Sequence, residues 1–510
     1  MGAAALEAGD LRAAEKLFHQ IVNANPRAHP AWNALSVVAV RAGLPDVAAE
    51  HAKHALELDR RNPTYLNNLG VALGELGEFA EAEQAFRRAL KVKPTYAEGH
   101  FNLGKALHKL GRLDEALRAF ERAYAIDANF PGLCASLCQM YRKRGHAARA
   151  LVVLREMPGG LGASDELTRL AGETLEEIEG AQSAIAWLRQ VVARHPDWYG
   201  ARYTLGRALL SVGEWQEGWR EYLWRPHLLA ERSERAPAPL LPRLPGTRVL
   251  VRSEQGLGDA LFFLRFAGEL RRRGAEVGLA VPRKLAAVLG DTGGYQVLAE
   301  EDAQAASFDR AIWGGDLPAL LESASAVDAF SLVRDEARAA RWRRRLAELG
   351  PAPYLALAWR AGTDVLRMKE FGRERGPQSK EAPLAALGDA LRGWRGTLLS
   401  VQRQPRSDET AAAAAAAGAP VHDLSALNDD LPEILAMLGV VEEYVCVSNT
   451  NVHLLAGIGR TARILVPYPA EWRWMREGAS PWFPGFTLYR EPQSRGWAEP
   501  LSRLRKDLIG

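Results

Sequence analysis

The chain has 510 residues, 47% of them apolar and 25% charged. That composition is ordinary for a soluble globular protein, and the length is too great for one core, so about three or more domains are expected. A net charge of +3 is small for this length, and the local basic runs, Arg271–Arg273 and Arg341 with Arg343–Arg345, sit beside apolar residues at helical spacing, so they read as solvated helix faces and no nucleic-acid partner is expected.

The first elements are repeats. Gly9, Gly43, Gly77, Gly111 and Gly145 stand 34 residues apart, and Gly213 returns in the same register. Ala14, Ala48, Ala82, Ala116, Ala150 and Ala184 keep a second phase, Phe18, Phe86 and Phe120 a third, and Pro26, Pro94 and Pro196 close units where a helix must stop. At 179 the column holds Glu179 with Gly180 beside it, an atypical unit that stays in step.

This pattern resembles the tetratricopeptide repeat, a helix-turn-helix unit. In Tyr65–Pro94 the first helix carries Leu66, Leu69, Gly70 and Leu73, the turn is Gly77-Glu78, and the second carries Ala82, Phe86, Ala89 and Leu90. Small residues at Gly70, Gly104 and Gly206 let paired helices approach, and Phe86 and Phe120 fill the space between them. One unit cannot bury its apolar stripe alone, so about six must stack between residue 1 and Trp224. Met1-Gly2-Ala3 falls inside a first helix, which raises the expectation of further repeats upstream. Asn68 and Asn102 occupy one place in successive repeats, where the other units have Ala34, Ser136, Leu170 and Thr204. In tetratricopeptide arrays that place lines the concave surface, and in the O-linked N-acetylglucosamine transferases asparagines there hold an extended peptide's backbone. Asn68 and Asn102 are therefore candidate peptide-binding residues, the alternative being plain solvent-facing amides. Cys134 and Cys138, four apart on one helix, read as buried small apolar residues, and with Cys446 they make neither a disulfide framework nor a zinc site.

After Trp224, Pro226, Pro237, Pro239, Pro242 and Pro245 mark a linker, taken as 226–246. Thr247–Arg252 then reads as a buried strand, followed by the loop Ser253–Asp259, a helix over 260–273 and a strand over 275–281. A second run begins with the strand Tyr354–Trp359 and the loop Arg360–Thr363, with Lys369 and Lys380 downstream. Further strands are expected at 396–401, 444–448 and 462–467, and helices at 335–349, 411–417 and 451–459. This alternation is that of parallel α/β sheets. Asp429-Asp430 reads as an exposed cap. The amino terminus has no charged region leading into an apolar run, and no stretch approaches the roughly 18 apolar residues of a membrane span. No membrane span and a cytoplasmic setting are therefore expected.

In such sheets ligands bind beyond the carboxyl ends of the strands. Three loops have that placement. In Gln255-Gly-Leu-Gly-Asp259 the glycines permit close backbone approach, and Asp259 is either an N-cap or a functional carboxylate. The second is Arg360-Ala-Gly-Thr363. In Ser448-Asn-Thr-Asn-Val-His453, hydroxyl and amide side chains meet free N–H groups at a positive helix end, which suits a diphosphate. Trp472, Trp474 and Trp482 either shape a cleft or pack one domain on another.

From 247 to 510 the chain resembles the heptosyltransferase-like branch of GT-B glycosyltransferases, in particular the bacterial proteins that join tetratricopeptide repeats to such a domain. The motifs are Val251–Asp259, Trp359–Thr363, Lys380–Leu384, Asp423–Asn428, Val447–His453, Pro469–Trp474 and Ser480–Pro484. The fold implied is an α-solenoid of tetratricopeptide repeats (1–225), the linker (226–246), and an α/β GT-B fold of two facing Rossmann-like domains, acceptor-side (247–350) and nucleotide-sugar (351–510).

The activity implied is metal-independent transfer of a sugar from a nucleotide-sugar to a hydroxyl of a protein acceptor chosen by the repeats, with flagellin and other surface proteins as candidates by resemblance. No cofactor is expected, the nucleotide-sugar being a substrate, and no Asp-x-Asp metal motif is present. The resemblance makes Asp259 the general base, with Glu254, Gln255, Gly256 and Gly258 forming the acceptor-side loop. Arg360, Gly362, Thr363, Lys380, Gln402, Ser448, Asn449, Thr450, Asn451 and His453 form the expected donor and phosphate set. The heptosyltransferase pattern has Asp-Ser-Gly-Pro where this chain has Ser448-Asn449-Thr450-Asn451, so a heptose donor is not implied. The alternatives are a transferase or nucleotide-sugar epimerase acting on a small or lipid-linked substrate, and a catalytically inactive repeat scaffold.

Overall fold

The computed structural model describes residues 1–157, 160–225, 228, 244–290, 293–303, 308–361, 380–494 and 496–510. Of the expected linker only 228 and 244–246 are among them, and Gly362, Thr363 and Lys369 lie outside the described residues. The chain forms two compact units, Met1–Thr174 and Leu175–Gly510.

The first unit is a succession of paired helices, among them Pro63–Leu76 with Phe79–Val92 and Ala97–Lys109 with Leu113–Ile126. Its glycines serve two separate physical needs. Those of the 34-residue register sit in inter-helix turns with left-handed backbone, as at Gly77 (φ +87°), where a Cβ would meet nothing but the conformation itself disfavours other residues. Gly70 and Gly104 instead permit close packing, since a Cβ there would come within 2.6 Å of the Phe86 ring and 2.7 Å of the Phe120 ring. The alanine column is fully buried at Ala14, Ala48, Ala82, Ala116 and Ala150. Cys134 and Cys138 are buried free thiols.

The second unit opens with the last helices of the repeat register, Ala181–Arg194, Tyr199–Ser211 and Trp215–Tyr222. Gly206 permits close approach here too, its Cβ position lying 2.6 Å from the Tyr222 backbone nitrogen. Two parallel sheets follow. In the first, β1 (Arg248–Arg252), β2 (Glu276–Val281), β3 (Gln296–Ala299) and β4 (Arg310–Trp313) lie in the order β3-β2-β1-β4. The second has β5 (Tyr354–Ala358), β6 (Thr397–Ser400), β7 (Val421–Asp423), β8 (Glu443–Val447), β9 (Arg463–Val466) and β10 (Thr487–Arg490) in the order β10-β9-β8-β5-β6-β7. In each sheet the chain builds outward from its first strand and then returns to that strand's other side. The order therefore reverses beside β1 and beside β5, which opens a crevice at their carboxyl ends.

Several expectations needed correction. The helix expected over 260–273 is two helices, Leu257–Leu264 and Ala267–Arg272, and its N-cap is Gly256, so Asp259 lies in the first turn and is not the cap. Strands β3, β4, β7 and β10 had no counterpart in the sequence reading. They are three or four residues long and lie at or next to the sheet edges, with mixed burial in place of a continuous apolar run. The cap expected at 429–430 is made by Asp430, which accepts from the Glu433 N–H.

Trp472, Trp474 and Trp482 are buried and join one core. Trp219 of the last repeat helix meets Trp472 edge-on at 5.3 Å, and Phe262 meets Trp472 and Trp482 at 5.2 and 5.3 Å. The end of the repeat register is thus built into the same core as both sheets. No helix among the described residues is long and apolar enough to cross a membrane.

Candidate functional site

The loop after β1 carries Glu254, Gln255 and Gly256 into the helix Leu257–Leu264. Gln255 takes a left-handed φ of +63° without being glycine, a local strain held in place by its neighbours. The main anchor is Glu254. Its carboxylate is buried and bidentate on Arg225, at 2.9 and 3.0 Å, and also accepts from the Gly315 N–H. Arg225, itself buried, reaches Asp316 at 2.5 Å. Glu254 therefore fixes its loop to the end of the last repeat and does not line the cleft.

Across the crevice, β8 ends at Val447 and the helix Thr450–Gly457 begins. Asn449 caps that helix, accepting from the Asn451 N–H at 3.0 Å, while the Asn449 and Asn451 amides both donate to the Tyr444 hydroxyl. These asparagines order the helix end. The two helices approach so closely that a Cβ on Gly258 would lie 3.2 Å from the His453 ring and 3.6 Å from Thr450 Cα, which explains glycine at that position.

Between them is a cleft of about 230 Å³, lined by Gly256, Gly258, Asp259, Arg360, Lys380, Ser448, Asn449, Thr450, Asn451 and His453, together with Lys284, Arg403, Asn428 and Arg473. Most of the expected site residues thus meet in one place. Gln402 is buried and braces this wall from behind, accepting from the N–H groups of Trp359 and Arg360 and donating to the Arg360 and Arg403 carbonyls. Lys380 is brought beside this loop by a bridge in which the Ala361 N–H donates to the Lys380 carbonyl.

Arg473 and Glu471, which no expected site residue announced, join this cluster. Arg473 Nη2 meets Asp259 Oδ1 at 2.5 Å, and its Nη1 is paired with Glu471 Oε1. Lys380 Nζ lies 2.7 Å from Glu471 Oε2, to which Ser448 Oγ also donates at 3.3 Å. Burial alone would raise the Glu471 carboxyl, but Lys380 and then Arg473 outweigh it and hold it well below the usual carboxylate range. For Arg473 burial opposes the charged form, and the two carboxylates overcome that and keep it charged. Arg360 is paired with Glu409 at 2.9 Å, and Arg403 has no carboxylate partner among the described residues. Among the described residues no group of His, Cys, Asp and Glu could hold a metal ion.

His453 is buried and its Nδ1 has no hydrogen-bond partner among the described residues. Burial first, then Arg473 and Arg265, push its imidazole well below its ordinary value of 6.5, so it is neutral near pH 7. The unfolded chain takes up a proton below that pH while folded His453 does not. Its contribution to stability is therefore complete above about pH 6.5 and is lost as pH falls towards the folded value. Melting temperatures at pH 7.5 and 5.5 should show a smaller drop for His453→Gln than for the wild type, and equal drops would contradict this account.

Residues 1–63 and 67–132 match the family profile described as the tetratricopeptide repeat. The N-terminal array is a tetratricopeptide-repeat solenoid. The chain is 24% identical to Protein FlbA of Caulobacter vibrioides, over 97% of this chain and 81% of that protein. Among solved structures it is similar to pilF of Pseudomonas aeruginosa, at 23% identity and a TM-score of 0.35, covering 39% of this chain and 91% of the other. It is also similar to a thermophilic tetratricopeptide-repeat protein of Thermus thermophilus, at 20% identity and a TM-score of 0.29, covering 36% of this chain and 100% of the other.

Within the solenoid, the candidate asparagines belong to a ladder. Asn68 donates to Asn33 at 2.8 Å, Asn102 to Asn67 at 3.0 Å, and Asn67 to Glu98 at 3.1 Å. Part of the hydrogen-bonding capacity of Asn68 and Asn102 is thus used between repeats. Asn33 and Asn67 were not singled out from the sequence, although they too stand 34 apart.

Proposed function

We propose that the protein is a glycosyltransferase that moves a sugar from a nucleotide-sugar to a hydroxyl of a protein acceptor recruited by the tetratricopeptide-repeat solenoid. One observation carries this reading: a single cleft is lined by Asp259, a capped helix N-terminus and the cations Arg360, Lys380, Arg403 and Arg473. That combination of a carboxylate with an anion-binding helix end and cations suits an attacking hydroxyl and a departing diphosphate. The resemblance of residues 247–510 to heptosyltransferase-like GT-B enzymes supports it.

On this reading the acceptor oxygen attacks the anomeric carbon, the new C–O bond forms as the bond to the diphosphate oxygen breaks, and the hydroxyl proton passes to Asp259. Arg473 holds Oδ1, leaving Oδ2 as the atom that takes the proton. Lys380, Arg403 and the start of the helix Thr450–Gly457 offset the negative charge that grows on the leaving diphosphate. Arg360 shares its charge with Glu409 and contributes less.

A thermal-shift panel of nucleoside diphosphates and nucleotide-sugars tests the proposal. A ligand selective for the folded state at about 100 times its Kd adds roughly 2.7 kcal/mol of stability, so one nucleotide class should raise the melting temperature reproducibly. If the whole panel leaves it unmoved, the donor site does not exist.

A further inference from the structure

Glu471 is a partly buried carboxylate, its side chain 14% exposed, that the proposed chemistry leaves unused, yet it touches the cations on which that chemistry depends. Its Oε2 pairs with Lys380 Nζ at 2.7 Å and accepts from Ser448 Oγ, and its Oε1 pairs with Arg473. Arg473 goes on to Asp259 at 2.5 Å. Lys380, Glu471, Arg473 and Asp259 therefore form a chain of alternating charge from one wall of the cleft to the other.

The members differ in their freedom to move. Arg473 is enclosed, its guanidinium 4.6 Å from both the Phe262 and Trp472 ring centres, and its side chain is only 7% exposed. Lys380 is 34% exposed on a flexible stem and lines the cleft. An anion entering the cleft can draw Lys380 towards itself far more easily than it can draw Arg473. Glu471 would then be left with Arg473 as its main counter-charge.

We propose that Glu471 is a positioning residue that stands in for the donor's phosphates until the donor binds, and that a phosphate drawing Lys380 away leaves Glu471 to claim more of the enclosed Arg473's charge, which weakens Arg473's hold on Asp259. Donor binding on one wall thereby prepares the carboxylate on the other, and the donor binds before the proton moves. This inference rests on the donor site proposed above.

The test uses the full chain and inorganic pyrophosphate in isothermal titration calorimetry. Removing a charge in direct contact with Lys380 and Arg473 should make Glu471→Gln bind pyrophosphate about tenfold more tightly than the wild type. Glu471→Asp keeps the charge but draws it back by one methylene, and should show a smaller gain even if the glutamine variant does not fold. Because Asp259 and Glu471 share Arg473, a cycle of Asp259→Asn, Glu471→Gln and the double variant should depart from additivity in Kd by at least about threefold. A residue that only supported the fold would weaken binding and produce no such coupling. Wild-type binding with equal or weaker binding in Glu471→Gln, or an additive cycle, overturns this inference and leaves the donor site standing. No binding by any form overturns both.

Discussion

Asp259→Asn is expected to lower sugar transfer by about 10²–10⁴-fold, the contribution of a positioned general base, without weakening donor binding. Asparagine has nearly the shape of aspartate, and its oxygen can still accept from Arg473 Nη2. Arg473 also keeps Glu471, so the substitution strands no buried cation and the fold should survive. What disappears is Oδ2, replaced by an amide that cannot take a proton. The loss should therefore fall on kcat, while donor KM stays unchanged or decreases because a negative charge has left the cleft. Single-turnover transfer to a co-expressed acceptor, followed by intact mass, separates the two quantities. Transfer at the wild-type rate would remove Asp259 from the chemistry and leave the proton to another base.

Much of the architecture was legible because it is periodic or apolar. A turn that needs a left-handed residue every 34 positions leaves a glycine each time, and the close approaches of paired helices leave a second set at Gly70, Gly104 and Gly206. Central strands such as Val249–Val251 and Leu355–Ala358 are continuous buried runs, and they stood out for that reason. The edge strands β3 and β7 are short and only partly buried, so their periodicity is too brief to register.

At the site, Asp259 and Ser448–His453 were readable because glycines and short polar residues between a strand and a helix are unusual locally. Arg473 was not, since between Trp472 and Trp474 it looks like part of a packing motif, and its meaning comes from a contact 214 residues away. Glu254 enters the acceptor loop only through the resemblance of its motif, and only the structure places Arg225 upon it.

That pairing leads to the largest expected effect on stability. Arg225 is wholly buried, bidentate on Glu254, paired with Asp316 and bonded to the Tyr222 and Gly315 carbonyls. Arg225→Met fills much of the volume but removes the guanidinium that the Glu254 and Asp316 carboxylates share. Removing one partner from such a buried cluster costs about 3–5 kcal/mol, which for a unit of this size corresponds to a fall of roughly 4–7 °C in melting temperature. Adding Glu254→Gln and Asp316→Asn should recover much of the loss, because neutral amides no longer repel and can still accept from neighbouring N–H groups. The consequence reaches the cleft through the loop itself: Glu254 stands two residues before Gly256, which starts the helix bearing Asp259. Arg225→Met should therefore lower transfer as well as stability at temperatures where the protein remains folded. The triple variant should recover stability more fully than activity, since the amide introduced by Glu254→Gln must hold the loop without the arginine. A melting temperature within about 1 °C of wild type would mean that the cluster is already compensated by water, and that the end of the repeat register does not brace the loop.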